Sequence, residues 1–232
     1  MPQAWTPRDT AIVALGLTTL AAGIPVDASG AAWAQPAVSA ASWMALGGVL
    51  ALADAAERRA LAACVVLATL GELFLKDVWR LYEYRLGNLP LFIPAGHALV
   101  YATAARLSRV APHGLPRAVA VFFAGVIGVA ALRGTDTFGV LWFGVFLAYL
   151  SQSAAPRLCA TLFLFALAIE AYGTALGGWR YYTVEPWFGL TTTNPPLWIG
   201  AVYCTLETLV RVAAGPAPAA FRLAARRVAA LL

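Results

Sequence analysis

The 232-residue chain is 61% hydrophobic and only 12% charged, with a mean hydropathy of +0.75, which excludes an ordinary soluble globular domain and points to a multi-pass membrane protein. The net charge of +5 does not call for a nucleic-acid partner. All cations but Lys76 are arginines, spread through loops and the tail, where orientation in a bilayer explains them.

In chain order, apolar runs near residues 10–26, 38–54, 60–76, 91–107, 117–132, 138–150, 158–176 and 197–212 predict eight transmembrane helices. The expected fold is therefore all-α, a polytopic transmembrane helix bundle over residues 1–214, with a basic amphipathic tail at 215–232 lying on the membrane surface. Several runs are shorter than the roughly 20 residues a span usually needs, so interfacial aromatics must extend them. At the amino end, Arg8, an apolar run and Ala32-Trp33-Ala34 imitate a secretory signal, but the gap to the cleavage-like site is long. An uncleaved first helix is expected. Cys64, Cys159 and Cys204 all fall in apolar runs and receive no redox role. Eight helices put both termini on one side. Lys76, Arg80, Arg85, Arg133 and Arg180 then fall on the opposite side and the larger remainder with the termini, which predicts a bacterial cytoplasmic membrane with both termini in the cytoplasm.

A polar signature occurs twice. Trp79-Arg80-x-Tyr82 followed by Asn88-x-Pro90-Leu91-x-Ile93 returns as Trp179-Arg180-x-Tyr182 followed by Asn194-x-Pro196-Leu197-x-Ile199. Each copy follows a lone glutamate, Glu72 or Glu170, in an apolar stretch. Aligning the Asn-x-Pro-Leu-x-Ile segments sets His97 opposite Tyr203 and Tyr101 opposite Glu207, so each following helix shows polar groups at i and i+4 on one face. The expectation is a four-plus-four internal repeat, 1–110 and 111–214, with an outward-facing polar pocket between halves related by an axis along the membrane normal.

Glu170, Gly173, Thr174 and Gly177 form one helical stripe, a carboxylate above a smooth groove that a neighbouring helix or a flat substrate can approach. An ionised carboxylate in hydrocarbon is costly, so the expected role of Glu170 is proton donor. Glu72 and Lys76 are spaced for an i to i+4 pair. Asn88 and Asn194 are placed to cap the helices that follow, and those helix starts, with Arg80 and Arg180, could hold a phosphate or carboxylate. Trp79, Tyr82, Trp179, Tyr182 and their aromatic neighbours read either as an interfacial belt or as the wall of a pocket for an apolar chain. His97 is an acid–base candidate if water reaches it. With two histidines and no His–carboxylate cluster at ligand spacing, no metal or cofactor is expected.

The stretch Glu170-Ala-Tyr-Gly173-Thr174-Ala-Leu-Gly177 resembles the E-x-x-G-T-x-x-G segment of membrane carotenoid biosynthesis proteins, which include carotenoid hydratases, and is loosely similar to small integral-membrane lycopene cyclases. The likeness covers one helix and the loop after it; where that family continues with Pro-Phe-Gly and spaced tyrosines, this chain has Gly178-Trp179-Arg180-Tyr181-Tyr182. The resemblance implies proton-driven hydration or cyclisation of an isoprenoid double bond. Glu170 would then be the general acid, Glu72 or Glu207 the water-activating partner, and the aromatics the stabilisers of a carbocation, without a redox cofactor. The residues alone equally admit a binding or transport protein for an anionic lipid, or an assembly subunit; the partner in the first two cases is a membrane lipid or lipid-like substrate.

Overall fold

A computed structural model describes residues 5–215; the expected basic tail lies outside the described residues. Eight helices follow in order: α1 (Pro7–Ala28), α2 (Ala34–Leu52), α3 (Ala55–Leu73), α4 (Phe92–Val110), α5 (Leu115–Leu132), α6 (Phe138–Gln152), α7 (Pro156–Ala175) and α8 (Ile199–Ala214). Four of them, α1, α2, α5 and α7, are long and apolar enough to cross a membrane. Val121, Phe122 and Leu132 of α5 point outward, as a lipid-facing surface requires. The fold is a helical bundle, but not purely so. Two three-residue strands, β1 (Tyr82–Tyr84) and β2 (Trp179–Tyr181), pair antiparallel after α3 and after α7.

Helix starts follow capping chemistry. Thr6 and Asp9 form a capping box on α1, and Asp54 and Glu57 form one on α3, so orphan N–H groups at both starts are satisfied by side chains. The two box carboxylates also meet the end of α4. Arg106 reaches Glu57 at 2.6 Å and Asp9 at 3.7 Å, Arg109 reaches Asp9 at 2.7 Å, and Arg8 pairs with Glu57. Cations at a helix C-terminus against anions at two N-termini also suit the helix dipoles. Small residues set the closest helix crossings: a Cβ on Gly16 of α1 would overlap Thr103 of α4, and one on Gly200 of α8 would overlap Phe163 of α7.

In the centre, α3 packs on both α4 and α8, and α7 likewise packs on both α8 and α4, which makes a ring of four. The outer helices are arranged differently in the two halves: α1 and α2 lie on α4, whereas α5 lies on α7 and α6 on α8. Opposite the arginine cluster, the loop before α8 is pinned to α6 by the fully buried Asp136, which accepts from the Gly139 and Leu197 N–H groups and the Thr193 hydroxyl.

Three expectations about this end change. The apolar run of α3 was expected to continue to Lys76, but the α-helix ends at Leu73 and a single wide π turn, Phe74–Val78, follows. That turn rotates Lys76 onto Asp77 at 2.6 Å, so the expected Glu72–Lys76 pair does not form. Asn88 and Asn194 do not cap helices. Asn88 donates to Gln35 at 2.9 Å, Asn194 accepts from the Tyr181 N–H at 3.1 Å, and α4 and α8 begin at Phe92 and Ile199.

Arg106 is almost fully buried between Glu57 and Asp9, and without it Glu57 keeps Arg8 and Asp9 keeps Arg109, so the loss is that of its own charged contacts and packing. Arg106→Ala is expected to lower stability by about 1.5–3 kcal/mol. The exposed Arg59→Ala should stay within about 0.5 kcal/mol of the parent in chemical unfolding from mixed micelles.

Candidate functional site

The site is built where α3 and α7 turn back into strands, and the two halves use different devices. After α7, Gly177 adopts φ +74°, which costs glycine little, and the Gly177 and Gly178 N–H groups return to the Thr174 and Gly173 carbonyls. After α3, the π turn does this work together with Arg80, a non-glycine residue at φ +60°. Both devices feed directly into strand. In the pair, Tyr82 faces Tyr181, Glu83 faces Arg180 and Tyr84 faces Trp179. Further bonds extend it at both ends, from the Arg85 N–H to the Gly178 carbonyl and from the Tyr182 N–H to the Leu81 carbonyl.

Strand alternation then sorts the side chains. Tyr82, Tyr84, Trp179 and Tyr181 point inward and are buried, while Glu83 and Arg180 face out. Each strand grips the glutamate of its own half. The Tyr82 and Tyr84 hydroxyls donate to Glu72 Oε2 at 2.5 and 2.7 Å. The Trp179 indole N–H and the Tyr181 hydroxyl donate to Glu170 Oε2 at 2.5 and 3.1 Å. Burial, then the neighbouring carboxyl, pushes the Tyr82, Tyr84 and Tyr181 hydroxyls well above the ordinary tyrosine value of 10.0, so they remain donors.

Glu72 has a further neighbour. On α4, His97 places Nδ1 3.0 Å from the Ile93 carbonyl oxygen, which can only accept, so Nδ1 carries a proton. Its Nε2 then faces Glu72 Oε1 at 3.4 Å. At that distance the two groups lie just beyond an ordinary hydrogen bond, close enough for a small side-chain movement or one water to pass a proton between them. Tyr203 of α8 stacks flat on the imidazole, with centroids 5.1 Å apart and planes 9° apart.

Both glutamates, His97 and these aromatic rings line one cavity of about 260 Å³ whose remaining walls are mostly aliphatic. Trp142 also lines it, and its indole N–H has no acceptor among the described residues. Above the cavity, Trp79 stacks on Trp187 at 4.6 Å and donates to Glu185. Burial alone would raise the Glu185 carboxyl, but the Trp79 indole and the backbone N–H groups of Leu190, Trp187 and Phe188 hold it below the usual 4.5. Among the described residues, no three His, Cys, Asp or Glu side chains gather in a way that could hold a metal ion.

Of the sequence candidates, Glu72, Glu170, His97, Trp79, Tyr82, Trp179 and Tyr203 meet at the cavity. Glu207 and Tyr101 do not line it; one turn further along α8, Glu207 lies 3.5 Å from Arg211. Arg80, Arg180 and Tyr182 are exposed on the outer side of the strand connections and line no part of the cavity. The Gly173–Thr174–Gly177 stripe lines no part of the cavity either. A Cβ on Gly173 would overlap the Trp179 ring, the Thr174 hydroxyl folds back to the Glu170 carbonyl at 2.7 Å, and Gly177 ends the helix. Asn194 holds the backbone of β2, its side-chain oxygen accepting from the Tyr181 N–H. The sequence reading missed Tyr84 and Tyr181 as carboxyl donors. Their signal was the alternation Tyr82-x-Tyr84 and Trp179-x-Tyr181 directly after a helix end.

Gly173→Val is expected to push the Trp179 ring off Glu170 and to cost roughly 1–3 kcal/mol from overpacking. Near-ultraviolet circular dichroism should lose a tryptophan band; an unchanged spectrum would show that Gly173 does not seat this ring. Comparison with protein-family models, curated proteins and solved structures gives no match for this chain.

Proposed function

We propose that this protein carries out cofactor-independent acid–base chemistry on a long apolar lipid of isoprenoid type within the membrane, by hydration or cyclisation of a carbon–carbon double bond. The observation that carries the reading is the pair of buried carboxyl groups, each oriented by two aromatic donors, in a cavity with otherwise apolar walls. Such walls suit a hydrocarbon ligand, and the polar groups present are of the kind that move protons.

In this reading a protonated Glu170 gives its proton to one carbon of the double bond; the π electrons form the new C–H bond and leave a cation on the neighbouring carbon. The faces of Tyr82, Tyr181 and Trp179 stabilise that charge. Water then attacks the cation, and its surplus proton passes to the Glu72–His97 pair. The net change is addition of one water, and the carboxyls reset by proton exchange with solvent. If a second double bond attacks in place of water, the same proton loss ends a cyclisation. Glu207 has no part in the scheme, since it faces Arg211 outside the cavity. The cation distribution supports an orientation with both termini in the cytoplasm and the strand pair toward the outer side.

In a host that makes linear polyenes, Glu170→Gln and Glu72→Gln should each reduce conversion at least about 100-fold, the scale of a lost general acid or base. Glu207→Gln should leave conversion near the parent level. Undiminished conversion by Glu170→Gln would sink the proposal.

A further inference from the structure

The cavity is lopsided. Setting Glu72 against Glu170 places Gly71 opposite Ile169, and setting His97 against Tyr203 places Gly96 opposite Val202. All four of these neighbours line the cavity. In the second half, Ile169 and Val202 fill their places and pack against the central core. In the first half the matching positions carry no side chain, and a Cβ built on either glycine would meet nothing within 4 Å. These two glycines therefore differ from Gly16, Gly173 and Gly200, each of which makes room for a neighbouring side chain. Close helix packing does not explain Gly71 and Gly96; empty space beside them does.

We infer that Gly71 and Gly96 form the seat of the ligand's reacting segment, which lies on the α3–α4 side against Glu72 and His97, and that these two positions set how bulky that segment can be. The inference rests on the reading of the cavity as a site for an apolar isoprenoid chain. It makes the halves unequal: the first half receives the ligand, and the second closes the opposite wall with Ile169, Val202 and the Trp179–Tyr181 pair. Aliphatic side chains added at the two glycines compete with the ligand for the same space.

The test grafts the second half's residues into the first. Binding of all-trans-retinol, a short isoprenoid polyene, is followed in phosphatidylcholine nanodiscs through saturable quenching of tryptophan emission, since Trp79, Trp142 and Trp179 line the cavity. Gly71→Ile and Gly96→Val are each expected to weaken binding by roughly tenfold or more, whereas the same changes at exposed helix glycines that line no part of the cavity, Gly125→Ile and Gly144→Val, should stay within about twofold of the parent. Gly71→Ala and Gly96→Ala should fall between parent and the larger variants, and they keep the test open if the latter do not fold. Parent-like binding by folded Gly71 and Gly96 variants, or an equal loss in the Gly125 and Gly144 variants, overturns the inference while the apolar-ligand reading stands. Absence of saturable quenching in the parent protein removes that reading and the inference together.

Discussion

The pairing of β1 with β2 is the constraint on which the rest of the structure depends. Strands of three residues are too short to be stable alone, and here they are held because each is fed by a tight turn from a central helix and each buries two aromatic side chains. Antiparallel register fixes which side chains turn inward, and a slip of one residue would send Tyr82, Tyr84, Trp179 and Tyr181 outward. Both glutamates would then lose their donors. A hydrogen bond contributes about 0.5–1.5 kcal/mol net, and leaving a buried polar group without its partner costs about 1–3 kcal/mol, so register and site stand or fall together.

The central ring of α3, α4, α7 and α8 carries this strand pair on the turns that follow α3 and α7, and the two helix-to-strand connections serve similar chemistry. Each half supplies one glutamate near the end of a helix and two aromatic donors on the strand that follows. The differences are as informative. His97 backs Glu72 where Tyr203 occupies the matching place, and glycines stand on one side where aliphatic residues stand on the other. At the opposite end of the bundle, the arginine–carboxylate cluster ties α1 and α3 to the end of α4. Glu72 and Glu170 are thus bound by aromatic donors beside the strand pair, where Asp27 also faces Arg85 at 3.8 Å, while Asp9 and Glu57 are bound by guanidinium groups at the other end.

The eight helices were legible because long apolar runs leave little alternative to helix in a membrane. Glu72, Glu170, His97 and Tyr203 were legible as polar residues where burial demands a reason. The strands were not, since six residues of aromatic and charged sequence next to Trp79 and Trp187 look the same as an interfacial belt. That ambiguity also carried the doubled Trp-Arg-x-Tyr signature to the wrong register. The strand geometry matches Tyr82 and Tyr84 with Trp179 and Tyr181 in role, while Trp79 anchors a loop through Glu185. Helical periodicity misplaced Lys76, because a π turn breaks the i to i+4 relation just where it was applied. Glu207 was placed on a helical face with Tyr203, but Thr205, Leu206 and Leu209 around it line the cavity and Glu207 does not, so it is turned toward Arg211 at the same depth.

The central claim is that the two strands pair in this register and so aim both carboxyls into one cavity. A cysteine cross-link tests it most directly, in a background where Cys64, Cys159 and Cys204 are replaced by alanine. Glu83 and Arg180 face each other across the strand pair, on its outer side, at a separation that antiparallel partners and disulfides share. Glu83→Cys with Arg180→Cys should cross-link rapidly under mild oxidation in membranes, and Glu83→Cys with Tyr182→Cys should not. Failure of the first pair, or equal cross-linking of the second, would contradict the pairing and with it the shared site.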